Sequence, residues 1–311
     1  MKYLLFVLAL ALAPNVRAAG EKIAVIPKGS THNFWKSIEA GAEKAGAELG
    51  VEVIWKAPLR EDDRGQQIGV VQEFIASGVS AIVLAPLDEN ALKGPVHSAA
   101  EHGIPVVIID SSVKGEVGKD FVSFVATDNH HGGELGGEEL ARDLGGKGKV
   151  VLLRYAEGSA STLARESGFT EALAKYPGIS LLVANRYGGA TASTAQDAAM
   201  NLLDKIREAD AIFCPNESTT MGMLLALRQT GLAGHKTFVG FDASPALLSA
   251  LEKGEINGLV AQNPTKMGYL GVVTAVRALR GEKVEPRIDT GCVVVNRENL
   301  DTADVKAVLG R

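Results

Sequence analysis

The residues of this sequence best suited to bind a ligand are polar and aromatic side chains that follow a short apolar run. Lys28, His32 and the adjacent aromatics Phe34 and Trp35 come directly after the run 23–26. Such a run is typical of a parallel strand, and in open α/β sheets ligands bind beyond the carboxyl ends of the strands. The composition of this loop predicts that it faces a ligand, although the two aromatics could instead be the first core contacts of the following helix.

More polar residues occupy corresponding places farther along the chain. If every strand ends at a gap between two lobes, the side chains that meet there include Asp110, Arg165, Asn216, Asp242 and Gln262. Carboxylates, amides and a guanidinium fork make paired hydrogen bonds with hydroxyl groups, and aromatic faces cover the C–H surface of a saturated ring. The set is therefore typical of a site for a hydroxylated ring. Either aspartate could instead only cap the next helix.

Catalytic and metal chemistry have weaker support in the sequence. Asp110 and Asp242 could form a carboxylate pair for acid and base catalysis on a glycoside, but their spacing does not single this out. The adjacent His130 and His131 have no third ligand at a metal spacing and are predicted to be surface residues. Motifs of dinucleotide enzymes, serine hydrolases and nucleotide hydrolases are missing from the sequence. We therefore predict no catalytic residue, no metal and no cofactor.

The elements that would position these residues alternate between short β-branched runs and longer helical patterns. This alternation predicts βα units around parallel sheets. Strands are predicted at 23–26, 51–55, 81–84, 106–109, 121–126, 150–153, 179–183, 211–214, 238–241, 259–262 and 292–295. Helices are predicted at 34–49, 65–76, 91–101, 163–175, 192–206, 221–229 and 266–280, with a short helix at the end of the chain.

The two halves of the chain resemble each other. Lys-Ile-Ala-Val-Ile at 22–26 corresponds to Lys-Val-Val-Leu-Leu at 149–153, and Asp110 corresponds to Asp242. The offsets between matching segments lie between 127 and 132 residues. A nearly constant offset predicts two similar lobes and not one long sheet. Glycines at 132, 133, 136 and 137 recur at helical spacing and predict close helix packing.

Length and charge limit the possible partners. The chain has 311 residues, which is enough for two α/β domains, and a net charge of -5. Nucleic acid is therefore not an expected partner, because the phosphate backbone requires a basic surface.

The beginning of the chain predicts export. Residues 1–19 contain Lys2, an apolar run at 4–13 and small residues near Ala18, which is typical of a cleaved secretory signal peptide. We therefore expect the mature protein to be soluble and located outside the cytoplasm. Cys214 and Cys292 could pair in an oxidising compartment or remain free buried thiols.

Taken in order, these motifs resemble those of the periplasmic sugar-binding proteins of the ribose-binding type, the soluble receptors of ATP-driven carbohydrate importers. The resemblance extends over residues 21–300. The segments that carry it are Phe34-Trp35, Val-Val-Ile-Ile-Asp at 106–110, Ala-Thr-Asp-Asn at 126–129, Arg-Glu-Ser-Gly-Phe at 165–169, Phe-Cys-Pro-Asn at 213–216, Val-Gly-Phe-Asp at 239–242 and Gln-Asn-Pro at 262–264.

The resemblance implies an α/β fold of two similar doubly wound parallel-sheet lobes joined by a three-strand hinge, the type I fold of periplasmic binding proteins. The hinge strands would lie near 123–125, 262–263 and 289–290. The N-terminal lobe would comprise 20–123 with 263–289, and the C-terminal lobe 124–262 with 290–311.

The resemblance also implies which residues bind the ligand. Sugar hydroxyls would bind to Asp110, Arg165, Asn216, Asp242 and Gln262. Aromatic stacking would come from Phe34, Trp35 and Phe241.

Departures from the ribose-binding pattern affect the expected ligand. Ser111 stands where the ribose binder has an arginine, and Lys28 and His32 replace a small hydroxyl residue and an asparagine, so ribose itself is not expected. Lys28 could recognise a carboxylate or phosphate on the ligand. Acidic neighbours such as Glu217 and Asp242 balance the basic charge, which favours a neutral sugar.

The expected function is that of a monomeric periplasmic receptor that closes on a monosaccharide or related polyol and presents the closed form to the membrane permease of an ABC importer. It would not be an enzyme. Two alternatives remain open at this point: a sensory ligand-binding protein for a chemoreceptor or kinase, and a glycoside-processing enzyme.

Overall fold

The computed structural model of the protein describes residues 20–30 and 32–310, so the predicted signal peptide lies outside the described residues. Up to the first crossing between lobes, the elements are β1 (Lys22–Ile26), α1 (Asn33–Leu49), β2 (Glu52–Trp55), α2 (Arg64–Ser77), β3 (Ala81–Leu84), α3 (Lys93–Glu101), β4 (Val106–Ile109) and β5 (Ser123–Ala126). Up to the second crossing they are α4 (Asn129–Asp143), β6 (Lys147–Arg154), α5 (Ala160–Ala174), β7 (Gly178–Tyr187), α6 (Ala192–Asn201), α7 (Leu203–Glu208), β8 (Ala211–Phe213), α8 (Glu217–Gln229), β9 (Thr237–Phe241), α9 (Pro245–Glu252) and β10 (Gly258–Gln262). The last four are α10 (Pro264–Leu279), β11 (Arg287–Asp289), β12 (Cys292–Asn296) and α11 (Ala303–Leu309).

Two six-stranded sheets with equivalent strand orders form the two lobes. The first sheet has the order β11-β5-β4-β3-β1-β2, and the second has the order β12-β10-β9-β8-β6-β7. All pairs are parallel except β10 with β12. Strand for strand, the second order repeats the first. The prediction of two similar doubly wound lobes is therefore confirmed, and the aspartates that follow β4 and β9 occupy equivalent places.

The chain crosses between the lobes three times. It leaves the first sheet after β5, returns after β10 and crosses again after β11, through residues 127–128, 263 and 290–291. The predicted boundary between residues 123 and 124 needs correction, because all of β5 belongs to the first sheet and pairs with β4 and β11. The first segment of the N-terminal lobe thus extends to Ala126.

Apolar strands buried on both faces form the centre of each lobe. Ile23, Val25 and Leu84 are fully buried, and core clusters of both lobes lie on both sides of the sheets. Burying one such side chain contributes about 1.5–3 kcal/mol. These rigid sheets hold the loops at their carboxyl ends in fixed positions. None of the helices in the described ranges is both long and apolar enough to span a bilayer.

Glycines bring α4 and α5 into close contact, as the spacing of the α4 glycines predicts. A Cβ atom on Gly133 would lie 2.0 Å from the carbonyl oxygen of Arg165, and one on Gly168 would lie 2.0 Å from that of His130. Gly41 and Gly268 repeat this arrangement between α1 and α10 of the first lobe. Since no side chain fits there, the glycines fix the position of the helix that carries Arg165.

Further details differ from the sequence-based expectation. The helix predicted at 192–206 is divided at Leu202, whose N–H bonds to the carbonyl of Ala199 and so ends the first helix with a tighter turn. Helix α9 begins with a proline and was not predicted. Cys214 and Cys292 are free thiols, the first buried and the second half-buried, so the pairing alternative is wrong.

Candidate functional site

A cavity between the carboxyl ends of the two sheets, here termed the central cavity, contains most of the predicted ligand-binding residues. Nine of the ten predicted residues line it. Its lining residues are Lys28, His32, Phe34, Trp35, Glu61, Asp110, Tyr155, Ser161, Thr162, Arg165, Asn216, Glu217, Asp242 and Gln262. Both lobes therefore contribute to one site.

The two aspartates at equivalent strand ends share an unusual backbone conformation. Asp110 has φ 60° and Asp242 has φ 70°, and they are the only non-glycine residues with positive φ in the part of the chain that the structure describes. Their side chains are buried, with 3% and 6% of each residue exposed. Backbone strain of this kind is concentrated at binding and catalytic sites. The conformation recurs at equivalent places in the two lobes, and both aspartates line the central cavity.

Asp242 is held by hydrogen bonds to both of its carboxylate oxygens. Oδ2 accepts from the backbone N–H of Glu217 at 2.8 Å, and Oδ1 accepts from Nε2 of Gln262 at 2.7 Å. Burial raises the pKa of Asp242, while the nearby Arg165 guanidinium and the Gln262 hydrogen bond oppose the rise. Each oxygen retains a second lone pair that can accept from a ligand hydroxyl.

Asp110 forms a buried ion pair with Lys28. The Lys28 ammonium lies 2.8 Å from Asp110 Oδ2, and both side chains are at most 5% exposed. That contact is misaligned for hydrogen bonding, and Oδ2 makes no hydrogen bond to the described residues. Lys28 Nζ instead donates to Ser161 Oγ of the second lobe at 3.1 Å. Lys28 thus neutralises Asp110, joins the lobes and leaves the carboxylate able to accept hydrogen bonds.

Arg165 is fixed on three sides and has one unused donor. Nε donates to Asn129 Oδ1 at 2.8 Å, and Nη1 donates to the carbonyl oxygen of Pro215 at 2.9 Å. The guanidinium carbon lies 3.9 Å from the ring centre of Phe241. Nη2 is buried without a hydrogen-bond partner among the described residues. A buried donor left unpaired costs about 1–3 kcal/mol, so Nη2 is suited to bind a ligand hydroxyl.

Phe241 is the one predicted site residue that does not line the central cavity. It is fully buried in the core of the second lobe, beneath the guanidinium of Arg165. Since Arg165 covers its ring, Phe241 orients that cation and does not stack on a ligand.

The two predicted amides use most of their hydrogen-bonding capacity within the protein. Asn216 caps α8, and its Oδ1 accepts from both the backbone N–H and the hydroxyl of Thr219. Gln262 donates to Asp242 and accepts from Thr127 Oγ1 at 2.9 Å. Gln262 therefore orients Asp242, and its position at a crossing connects the carboxylate to the hinge.

Glu61 is a central residue of the cavity that the sequence analysis missed. Its Oε1 accepts from Trp35 Nε1 at 2.5 Å and lies 2.7 Å from His32 Nδ1. Its Oε2 accepts from the hydroxyl of Tyr155, in the second lobe, at 2.6 Å. The carboxylate thus orients the first loop and also bridges the lobes. Glu61 lies in the charged run 60–64, which is typical of an exposed loop, whereas the place of Tyr155 directly after β6 is a signal that could have identified it.

The Glu61 carboxylate keeps His32 protonated. Burial by itself lowers the pKa of His32, but the hydrogen bond and negative charge of Glu61 outweigh it and raise the pKa from 6.5 to about 9. For Glu61 burial acts in the opposite direction and raises the pKa. The hydrogen bonds from His32, Tyr155 and Trp35 outweigh this effect and bring the pKa of Glu61 below its usual value. The two residues therefore form an ion pair at neutral pH.

This ion pair gives a predicted pH dependence of stability. The contribution of His32 is fully present below pH 6.5, where the unfolded chain is also protonated, and is lost as the pH rises through about 9. The shift corresponds to at most about 3 kcal/mol. We expect the free energy of unfolding, from urea titrations at pH 6 to 9.5, to fall with pH, and to fall less in His32→Gln. The exposed His235→Gln is the control. If the free energy of unfolding falls with pH as steeply in His32→Gln as in the unmodified protein, the ion pair is contradicted.

Trp35 lies between the central cavity and the core of the first lobe. It lines the central cavity, yet only 3% of the residue is exposed and it packs in the core of the first lobe. We expect Trp35→Phe to weaken ligand binding about fivefold, because the indole donor to Glu61 is lost while an apolar face remains. It should also remove most of the ligand-dependent fluorescence change.

Trp55→Phe is the matched control, since Trp55 is half-buried at the end of β2 and does not line the central cavity. Affinity and signal should be nearly unchanged in this variant. A fluorescence change that disappears with Trp55 and persists without Trp35 would contradict the placement of Trp35.

Metal binding receives no support from the described residues, which contain no group of three or more metal-ligating side chains. His131 is exposed and His130 is half-buried, and both lie within 4.0 Å of Glu134.

Known proteins similar to this chain match most of its length, across both lobes. A family model of the periplasmic binding protein domain matches residues 23–283. The D-allose-binding periplasmic protein of Escherichia coli is 32% identical, over 89% of this chain and 90% of that protein. The ribose import binding protein of the same organism is 29% identical, over 90% of this chain and 93% of that protein. A carbohydrate transporter solute-binding protein from Agrobacterium radiobacter, solved in complex with D-arabinose, has a TM-score of 0.89 at 32% identity, covering 94% of this chain and 99% of its own.

Proposed function

This chain belongs to the periplasmic binding protein family, and we propose that it binds a neutral monosaccharide or related polyol in the central cavity for an ABC importer. The observation that carries the proposal is the pair of left-handed aspartates at equivalent strand ends of the two lobes. With the unpaired Arg165 Nη2, they offer acceptors and a donor from opposite sides. A small ring with many hydroxyl groups matches this arrangement.

The charges of the central cavity favour a neutral ligand. The cavity is lined by more acidic than basic side chains. The three basic ones are Lys28, His32 and Arg165, and the four carboxylates are Glu61, Asp110, Glu217 and Asp242. Two of the cations are already paired with carboxylates. An anionic ligand would add an unbalanced buried charge, which is more costly than burying hydroxyl groups that find partners.

The same contacts argue against the glycoside-processing alternative. A general acid or base needs a carboxyl group free to exchange a proton with the substrate. Both oxygens of Asp242 accept hydrogen bonds from protein groups, and Asp110 is paired with Lys28. We therefore propose a binding protein without catalytic activity.

The remaining features of the proposal concern the organisation of the protein and its partner. The N-terminal lobe comprises residues 20–126 with 263–289, and the C-terminal lobe comprises 127–262 with 290–310. The protein acts as a periplasmic monomer. Ligand shifts the lobes towards the closed form through contacts that only this form makes, and the closed form binds the membrane permease.

A ligand screen with matched pairs tests the proposal. Neutral pentoses, hexoses and polyols are compared with the corresponding uronic and aldonic acids by thermal unfolding, and the positives by calorimetry. A ligand at 1,000 times its dissociation constant stabilises the folded state by about 4 kcal/mol. At least one neutral sugar should do so, and its acid should bind much more weakly. Binding of acids only, binding of no sugar, or turnover of a bound sugar would refute the proposal.

A further inference from the structure

A second and larger cavity adjoins the central one. This side cavity lies between the beginnings of α1, α9 and α10 and the terminal helix α11. It shares with the central cavity the lining residues Phe34, Glu217, Asp242 and Gln262. The backbone N–H of Phe34 donates to Glu217 Oε2 at 3.1 Å, so this pair from opposite lobes stands at the boundary between the two cavities.

The side cavity contains a buried polar atom that the fold does not use. Ser244 is 7% exposed, and its Oγ has no hydrogen-bond partner among the described residues. Ser244 occupies the N-cap position of α9, where a serine side chain ordinarily accepts from the first turn, yet here it makes no such bond. Since a buried hydroxyl without a partner is costly, Ser244 Oγ is available to a group inside the cavity.

The rest of the lining defines the chemistry of that group. Leu248 is buried, and Val308 and Leu309 on α11 are half-buried, so one wall is apolar. The described lining residues include the carboxylates of Glu217 and Asp242 and no basic side chain. Burial and the repulsion of Asp242 raise the pKa of Glu217. An anionic group is therefore disfavoured, while a neutral group with both hydroxyl and C–H surfaces matches the lining.

We propose that the side cavity is a second subsite that takes a second sugar ring, so that the protein binds, in addition to a monosaccharide in the central cavity, a disaccharide with one ring in each cavity. The proposal rests on the function proposed above and extends it. The first ring binds between Asp110, Arg165 and Asp242. The second ring places a hydroxyl group near Ser244 Oγ and a C–H face against the apolar wall.

Calorimetry with two matched ligand series tests the subsite. The probes are common neutral hexoses and pentoses, their methyl glycosides, and disaccharides built from the same sugars. At least one disaccharide should bind ten or more times as tightly as its component monosaccharides. Ser244→Ala should reduce only the disaccharide affinity, by about fivefold. Val308→Trp should remove the gain from the second ring, and the affinity for the monosaccharide should stay within twofold.

The outcomes separate the two proposals. If monosaccharides bind and every disaccharide binds more weakly, the subsite is refuted while the proposed function stands. The subsite is also refuted if a disaccharide binds tightly but neither Ser244→Ala nor Val308→Trp changes its affinity. If no sugar of either series binds, the proposed function fails, and the subsite fails with it. Unfolding temperatures of both variants identify any loss of affinity that comes from misfolding.

Discussion

Replacing Arg165 with alanine is expected to weaken sugar binding by roughly 100-fold or more. The change removes the unpaired Nη2 donor and leaves the carbonyl of Pro215 and the amide oxygen of Asn129 without their donors. Hydrogen bonds to charged groups are worth about 1.5–3 kcal/mol, and a site built to bind a hydroxyl strongly disfavours its own unpaired groups. Calorimetry with the sugar identified by the screen measures the loss.

Arg154→Ala is the matched control for this prediction. Arg154 lies in the same lobe, forms a 2.6 Å ion pair with Glu166 and stacks on Tyr187, but does not line the central cavity. Both variants should lose stability without ligand, because each residue is bonded within the folded protein, but only Arg165→Ala should lose affinity. Near-normal binding by Arg165→Ala would show that Arg165 is a packing residue.

Replacing Asp242 with asparagine is expected to reduce affinity for the neutral sugar by about 30-fold, or 2 kcal/mol. Both oxygens of Asp242 accept from N–H donors, Glu217 N and Gln262 Nε2. An asparagine has one oxygen, so its NH₂ group must face a donor and one bond is lost. Asparagine tolerates the left-handed backbone at this position, and the change therefore tests hydrogen bonding and not strain.

Asp210→Asn is the control for this variant. Asp210 also accepts a hydrogen bond from a backbone N–H, that of Lys149, at 2.8 Å. It is exposed, however, and lies just before β8, at the end of the strands away from the central cavity. Its replacement should leave affinity unchanged. Equal affinity of Asp242→Asn and the unmodified protein would mean that Asp242 only caps α8 and does not bind the sugar.

The sequence allowed the two lobes and most of the cavity to be predicted because their signals are local and repeated. Asp110 and Asp242 follow strands that are buried on both faces and therefore apolar throughout, so the ends of these strands are clear in the sequence. Arg165 lies within the Arg-Glu-Ser-Gly-Phe segment, whose glycine, Gly168, packs against the backbone of His130 on α4. In each case the residue type and its place along an element agree with its role.

The contributions of Glu61 and Phe241 could not be predicted in this way. Glu61 is buried only because Trp35, His32 and Tyr155, from two loops and two lobes, converge on it. Phe241 immediately precedes Asp242, yet consecutive residues at a strand end point to opposite sides, and its ring lies beneath Arg165. Such roles depend on contacts between segments that are distant in sequence, which local patterns do not encode.

The central claim is that both lobes bind one sugar and close on it, and small-angle X-ray scattering tests it most directly. Contacts such as Tyr155 with Glu61 and Lys28 with Ser161 join the lobes across the cavity. We predict that the radius of gyration falls on addition of the bound sugar, reaches its minimum at saturation and stays constant with a sugar that does not bind. An unchanged radius of gyration in a sample that calorimetry shows to be saturated would contradict the account.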